Sequence, residues 1–169
     1  MFSRILVAIE MSKAGRHVFE TALALAKATG ANLKVLHVLC PDEEGCPDTS
    51  GLLGTYYYPG TDDEATEHGQ IGWEQYSQKC LERLRSLVQI ATTEGVQAEF
   101  AQPSGKPSQT ICEEARNWEA DLIVIGQRGL SGWEKALLGS VSSYVIQNAP
   151  CSVLADQSPI RARSVPAKV

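Results

Sequence analysis

Apolar residues along this chain follow two alternating periods. Ile5 to Ile9 (ILVAI) is a short, continuously apolar run, the pattern of a central strand covered on both faces. From Ser12, a residue type suited to capping, Val18, Phe19, Ala22, Leu23, Leu25 and Ala26 recur at helical spacing as far as Thr29, and Gly30 supplies a stop. Leu33 to Leu39 (LKVLHVL) predicts a second strand. Trp73, Tyr76, Cys80, Leu84, Leu87 and Ala91 predict a long amphipathic helix closed by Gly95. Val96 to Ala101 alternates apolar and polar residues, as expected of a strand near the sheet edge. Pro107 suits the first turn of a helix whose Ile111, Ala115 and Trp118 face inward. DLIVIG predicts a buried strand ending at Gly126, Val141 to Gln147 the core of a last helix, and Ser152 to Ala155 a final strand after Pro150. Five strands with helices between them imply an α/β fold, a doubly wound five-stranded parallel sheet with helices on both faces.

Two stretches fall outside this alternation. Pro41 to Gly72 is too long for an ordinary connection, is rich in glycine and holds Tyr56, Tyr57 and Tyr58, so it reads as a loop insert: either a lid or a solvent-covered elaboration. Gln157 to Val169 carries Arg161, Arg163 and Lys168 but little to bury, which predicts a flexible C-terminal tail after one domain spanning 1–156. A length of 169 residues fits that single domain.

Composition narrows the function classes. The net charge of −5 argues against nucleic acid as a partner, because binding a phosphate backbone usually leaves a basic footprint. Arg4 and Glu10 bracket the first apolar run, so it does not read as a signal peptide, and no apolar stretch reaches the roughly 18 residues that span a bilayer. A cytoplasmic protein with no membrane partner is expected. Five cysteines do not suggest a secreted disulfide framework. Cys80, Cys112 and Cys151 fall on apolar faces or strands, whereas Cys40 and Cys46 flank the acidic turn PDEEG and are candidates for a redox pair.

The chemistry concentrates after the fourth strand, in GQRGLSGWEKALLGSVSSYV. In an open α/β sheet, ligands bind beyond the carboxyl ends of the strands, where strand order reverses. Gly126 and Gly129 lie three residues apart, and Gly139-Ser140 follows after nine more. Glycine lets a main chain approach a ligand closely, and Gly139-Ser140-Val141-Ser142 opens a helix whose first amides and positive dipole end suit a phosphate. The hydroxyls of Ser140 and Ser142 can add hydrogen bonds, although Ser140 can equally be a simple helix cap. GxxxxGK[ST] is absent, so this is not a Walker loop.

That segment resembles the G-x2-G-x9-G-[ST] signature of the universal stress protein family and matches it without an insertion. RILVAIEMS is similar to the family's opening strand, LKVLHVL to its second, and GKPSQTICEEA to the entry of its third helix. The resemblance implies a Rossmann-like fold of the adenine nucleotide alpha hydrolase type and an adenine nucleotide as ligand, ATP or another, with Mg as a possible companion. It implies that Ala8, Ile9 and Glu10 lie beside the adenosine, that Val38 meets the adenine, and that Ile125 packs near sugar and base. Gly126 and Gly129 would approach ribose and phosphates, and Gly139, Ser140, Val141 and Ser142 would hold the phosphate chain. Arg128 would either pair with phosphate or stay in solvent. Glu10 stands where the family usually has Asp, so it is a candidate contact for ribose or for the metal. Gln127 replaces a commoner small Ser, and either crowds the loop or adds an amide contact.

The expected function is a ligand-dependent stress-response or signalling module. The alternatives are a nucleotide-independent scaffold or chaperone-like protein, and a receptor for AMP or a cyclic adenine nucleotide. Phosphoryl transfer needs an aligned nucleophile and charge neutralisation. Glu10 is a single carboxylate, and His17, His37 and His68 are scattered over a helix, a strand and a loop, so catalysis is not expected as the main role. The resemblance also implies a homodimer, with Ser152 to Ala155 either pairing at an edge or simply completing the sheet, and a protein partner of unknown kind.

Overall fold

In the computed structural model the described residues are 1–41, 46, 63–127 and 139–157, and side chains are described for all of these except 63–70. Strand β1 (Arg4–Ala8) leads to helix α1 (Lys13–Thr29), strand β2 (Asn32–Leu36) and helix α2 (Asp63–Thr93). Strand β3 (Ala98–Ala101), helix α3 (Pro107–Asn117), strand β4 (Leu122–Gln127), helix α4 (Ser140–Asn148) and strand β5 (Ser152–Gln157) follow. The strands form one parallel sheet in the order β3-β2-β1-β4-β5. The expected architecture is present.

Strand alternation explains why β1 and β4 read as unbroken apolar runs. Ile5, Val7, Leu33, Val35, Leu122 and Val124 face one core, packed with Val18, Phe19, Ala22 and Leu23 of α1 and Leu84, Leu87 and Ala91 of α2. Leu6, Leu36, Ile123 and Ile125 face the other, with Ile111, Cys112 and Ala115 of α3 and Val145 of α4. Both faces of the central strands are thus covered, while the edge strands β3 and β5 keep exposed positions.

Local signals set the helix ends. The Ser12 side chain caps α1 by accepting from the Gly15 amide at 3.3 Å, and Gly30 ends it in the left-handed region at φ 73°. Pro107 sits in the first turn of α3. The Ser3 and Arg4 amides both donate to Asp121 Oδ2, at 2.7 and 2.8 Å, which fastens the start of β1 beside β4. These two bonds hold the Asp121 carboxyl below its ordinary pKa, helped by the Arg4 charge.

Several expected boundaries move. Helix α2 begins at Asp63, so the insert ends about ten residues earlier than its glycines suggested, and His68 is on a helix rather than a loop. Gly69 and Gly72 each cost helix stability, and the packed second half of α2 sustains the rest. Trp73 and Tyr76 are half-buried, with ring centroids 6.3 Å apart, and full burial begins at Cys80. Regular β2 ends at Leu36 rather than Leu39. The chain nevertheless continues pairing, with the His37 and Leu39 amides donating to the carbonyls of Ala101 and Pro103. Strand β5 extends two residues past Ala155, taking in Gln157 from the expected tail. Cys80 and Cys112 are buried, and burial raises the thiol pKa of Cys112 and of half-buried Cys151. Cys40 and Cys46 are half-exposed.

Candidate functional site

The chain proceeds outward from β1 through β2 to β3, then returns to place β4 on the other side of β1. Crossovers therefore diverge between β1 and β4, and a crevice opens at the carboxyl ends of these strands. A cavity of about 450 Å³ lies there. Ala8, Ile9 and Glu10 line it from the end of β1, Val38 from beyond β2, and Ile125 and Gly126 from β4. Gly139, Ser140, Val141 and Ser142 line it from the start of α4. Ten of the twelve expected site residues thus converge on one space; Arg128 and Gly129 lie outside the described residues. A smaller depression of about 300 Å³, near Arg4, Asn32 and Trp118, lies at the opposite ends of the strands.

The walls have distinct characters. Ala8, Leu36, Val38, Ile111 and Ile125 belong to the core on the α3–α4 face, so an apolar surface continues from that core into the cavity. Ile9 packs into the opposite core, which leaves chiefly its main chain for the cavity. Across from the apolar wall stands the start of α4. Gly139 is its N-cap, at φ −58° and ψ 154°, and as a glycine it supplies no capping side chain. Serine or aspartate there would satisfy the early amides internally; glycine leaves the first turn open to an anion. Ser140 is the first helical residue and makes no cap bond, which removes its reading as a simple cap.

Two lining residues also make scaffold contacts that the sequence did not announce. The Ser142 hydroxyl donates to the Gly126 carbonyl at 2.9 Å, and Ser142 is only 5% exposed. Its proton therefore ties α4 to β4, and only its lone pairs and main chain remain to face a ligand. Gly126 does not have positive φ. A Cβ built there would meet Val18 Cγ2 at 3.0 Å, so close packing of β4 against α1 accounts for the glycine. Gln127 accepts from the Gln157 carboxamide at 2.8 Å, an amide contact within the sheet edge.

Sequence reasoning missed Leu36, His37, Cys40, Pro107 and Ile111, all of which line the cavity. His37 is 1% exposed. By contrast His17 serves the scaffold: its Nε2 lies 3.6 Å from Asp156 Oδ2, which also accepts from the Thr21 hydroxyl at 3.0 Å. Glu10 is the one carboxylate among the described lining residues, and none of these is Lys or Arg. No cluster of three or more His, Cys, Asp or Glu that could hold a metal occurs among the described residues. Nor is any described helix long and apolar enough to cross a membrane.

Comparison with known proteins agrees with this architecture. The universal stress protein family profile matches residues 1–156. Universal stress protein Sll1388 of Synechocystis is 36% identical over 161 residues, covering 90% of this chain and 96% of that protein. Universal stress protein YxiE of Bacillus subtilis is 36% identical over 156 residues, covering 91% and 98%. Among solved structures, UspA from Lactobacillus plantarum superposes with a TM-score of 0.62 at 27% identity, covering 90% and 96%. Two further structures share the fold at lower identity. One is a family protein from Arabidopsis thaliana with AMP bound, with a TM-score of 0.61, 20% identity and 98% and 99% coverage. The other is a universal stress protein in complex with cAMP, with a TM-score of 0.60, 22% identity and 92% and 97% coverage. The profile match over most of the chain and the two relatives aligned along nearly their full length place this chain in the universal stress protein family.

Proposed function

We propose that this protein binds an adenine nucleotide, ATP first, in the cavity between the ends of β1 and β4, and acts as a ligand-dependent stress-response module. The observation that carries the reading is the meeting of two unlike surfaces in one space. The wall of Val38, Ile111 and Ile125 suits a base and sugar, and the glycine-led start of α4 suits phosphate. Relatives of the same fold crystallised with AMP and with cAMP support the ligand class.

Magnesium would enter with the nucleotide. It usually keeps one or two protein carboxylates and takes its remaining ligands from phosphate and water, and Glu10 is one carboxylate at the right cavity. The reading assigns binding rather than turnover to the site, since phosphoryl transfer needs more positioned groups than Glu10 alone. Signalling would follow if the bound and free states offer partners different surfaces. We place this activity in the cytoplasm. We also propose a homodimer, with β5 at the sheet edge and Leu154 36% exposed as its candidate contact.

A second reading rests on charge. With no Lys or Arg among its described lining residues, the cavity favours AMP or a cyclic adenine nucleotide over a more highly charged triphosphate without metal. Calorimetric titration of nucleotide-free protein with ATP, with and without Mg²⁺, and with AMP and cAMP separates the cases. Tightest binding of ATP supports the first reading, and preference for AMP or cAMP the second. Absence of heat and of thermal stabilisation with every ligand would leave a nucleotide-independent scaffold.

A further inference from the structure

We propose that Arg83, in the middle of α2, is a positioning residue for this cavity, holding in place the loop that presents Glu10. The proposal rests on the nucleotide reading above and adds to it the element that sets the loop's position.

Only four residues, 9–12, join β1 to α1, and they carry Ile9 and Glu10 past the cavity. The start of this loop is tied to the sheet, because the Ile9 amide donates to the Leu36 carbonyl at 2.9 Å. Its far end is held by a different element. Arg83 Nη1 donates to the Met11 carbonyl at 3.1 Å and Nη2 to the Ser12 carbonyl at 3.0 Å, both partly buried. A guanidinium presents two donors in a fixed plane, so one side chain fixes two successive peptide units. Those units begin one residue after Glu10.

A contact on the α1 side limits the same loop. A Cβ on Gly15 would collide with the Glu10 carbonyl oxygen, so the loop folds down against the first turn of α1. The Ser12 hydroxyl accepts from the Gly15 amide, while the Ser12 carbonyl accepts from Arg83. Glu10 is thereby confined between α1 and the Arg83 fork. Because Arg83 belongs to α2, a displacement of α2 moves Met11 and Ser12, and by linkage a ligand that fixes the loop biases α2 in return.

The test uses the full chain with Arg83→Met, which keeps the apolar stem, and Arg83→Lys, which keeps the charge but not the fork. Affinities for ATP and AMP are measured by calorimetry, amide exchange over residues 10–12 by mass spectrometry, and thermal unfolding without nucleotide. Arg83→Met should bind roughly tenfold more weakly, the size expected for losing two charge-assisted hydrogen bonds behind a ligand loop, with Arg83→Lys intermediate. Exchange should quicken over residues 10–12 while β1 and β4 stay protected. Unchanged affinity and unchanged loop exchange overturn the proposal. So does faster exchange spread through the whole core, which would make Arg83 a general structural residue. Wild-type protein that binds no adenine nucleotide overturns the functional reading instead, and loop exchange then still decides whether Arg83 holds the loop.

Discussion

The Ser142 hydroxyl donates to the carbonyl oxygen of Gly126 across 2.9 Å, joining the first turn of α4 to the carboxyl end of β4. Gly126 opens the glycine-serine signature, Ser142 lies two residues past its end, and both line the cavity. The segment thus has an internal mechanical role: Ser142 sets where the helix end stands relative to β4. Ser142→Ala leaves the Gly126 carbonyl without this donor and should cost about 1–2 kcal/mol of stability. Urea unfolding checks it. A variant as stable as wild type would show that another donor replaces the hydroxyl.

Gly126 and Val18 form a second pair whose coupling is measurable. Gly126→Ala would press its methyl on Val18 Cγ2, a branched side chain with little freedom to move aside, and should destabilise the fold by about 1–2 kcal/mol. Val18→Ala alone should destabilise by opening a cavity. The double variant should be more stable than the sum of the single effects predicts, and strict additivity in a double-mutant cycle would remove the steric account.

Acid stability should depend on Asp121. Its native carboxyl titrates below the ordinary value because the Ser3 and Arg4 amides donate to it. The unfolded chain, with an aspartate pKa of about 3.9, therefore takes up this proton first as the pH falls. The contribution is present above about pH 4 and fades as the pH drops through the depressed native value. Asp121→Asn should be less stable than wild type at neutral pH and lose stability less steeply on acidification. Identical pH profiles in urea unfolding would contradict the assignment.

Thiol reactivity offers a test that needs no mutation. Cys40 lines the cavity and is half-exposed, whereas burial raises the pKa of Cys112 and Cys151 and keeps their reactive thiolates scarce. Iodoacetamide at about pH 7.5 should modify Cys40 well before Cys112. A saturating adenine nucleotide should slow modification of Cys40 selectively. Peptide mass spectrometry reads both rates, and an unprotected Cys40 would place the ligand elsewhere.

What the sequence could reveal about this molecule follows from how local each determinant is. Ser12 and Gly30 act within one turn, so the limits of α1 were readable, as were β1 and β4, whose two buried faces demand continuous apolar runs. The glycine-serine segment was readable for the same reason. Pro107 and Ile111 reach the cavity only because the crossover after β3 lays α3 beside it, and nothing in their neighbourhood announces that. The Arg83 contacts join residues more than seventy positions apart, and the Ser142 hydroxyl direction depends on how α4 docks. Gly69 and Gly72 hid the start of α2 because local propensity there runs against the helix that tertiary packing completes.

The parallel pairing of Ile5 with Leu122 has a consequence for the order of biosynthesis. Strand β1 leaves the ribosome before β2 and β3, but its neighbour in the crevice, β4, is made only after them, and α4 later still. A nascent chain that holds β1, β2 and β3 alone has three of the five strands and lacks the cavity walls that β4 and α4 supply. On the proposed function, a nucleotide would therefore stabilise only a chain that has reached α4, which would make ligand occupancy a late check on assembly rather than an aid to its first steps.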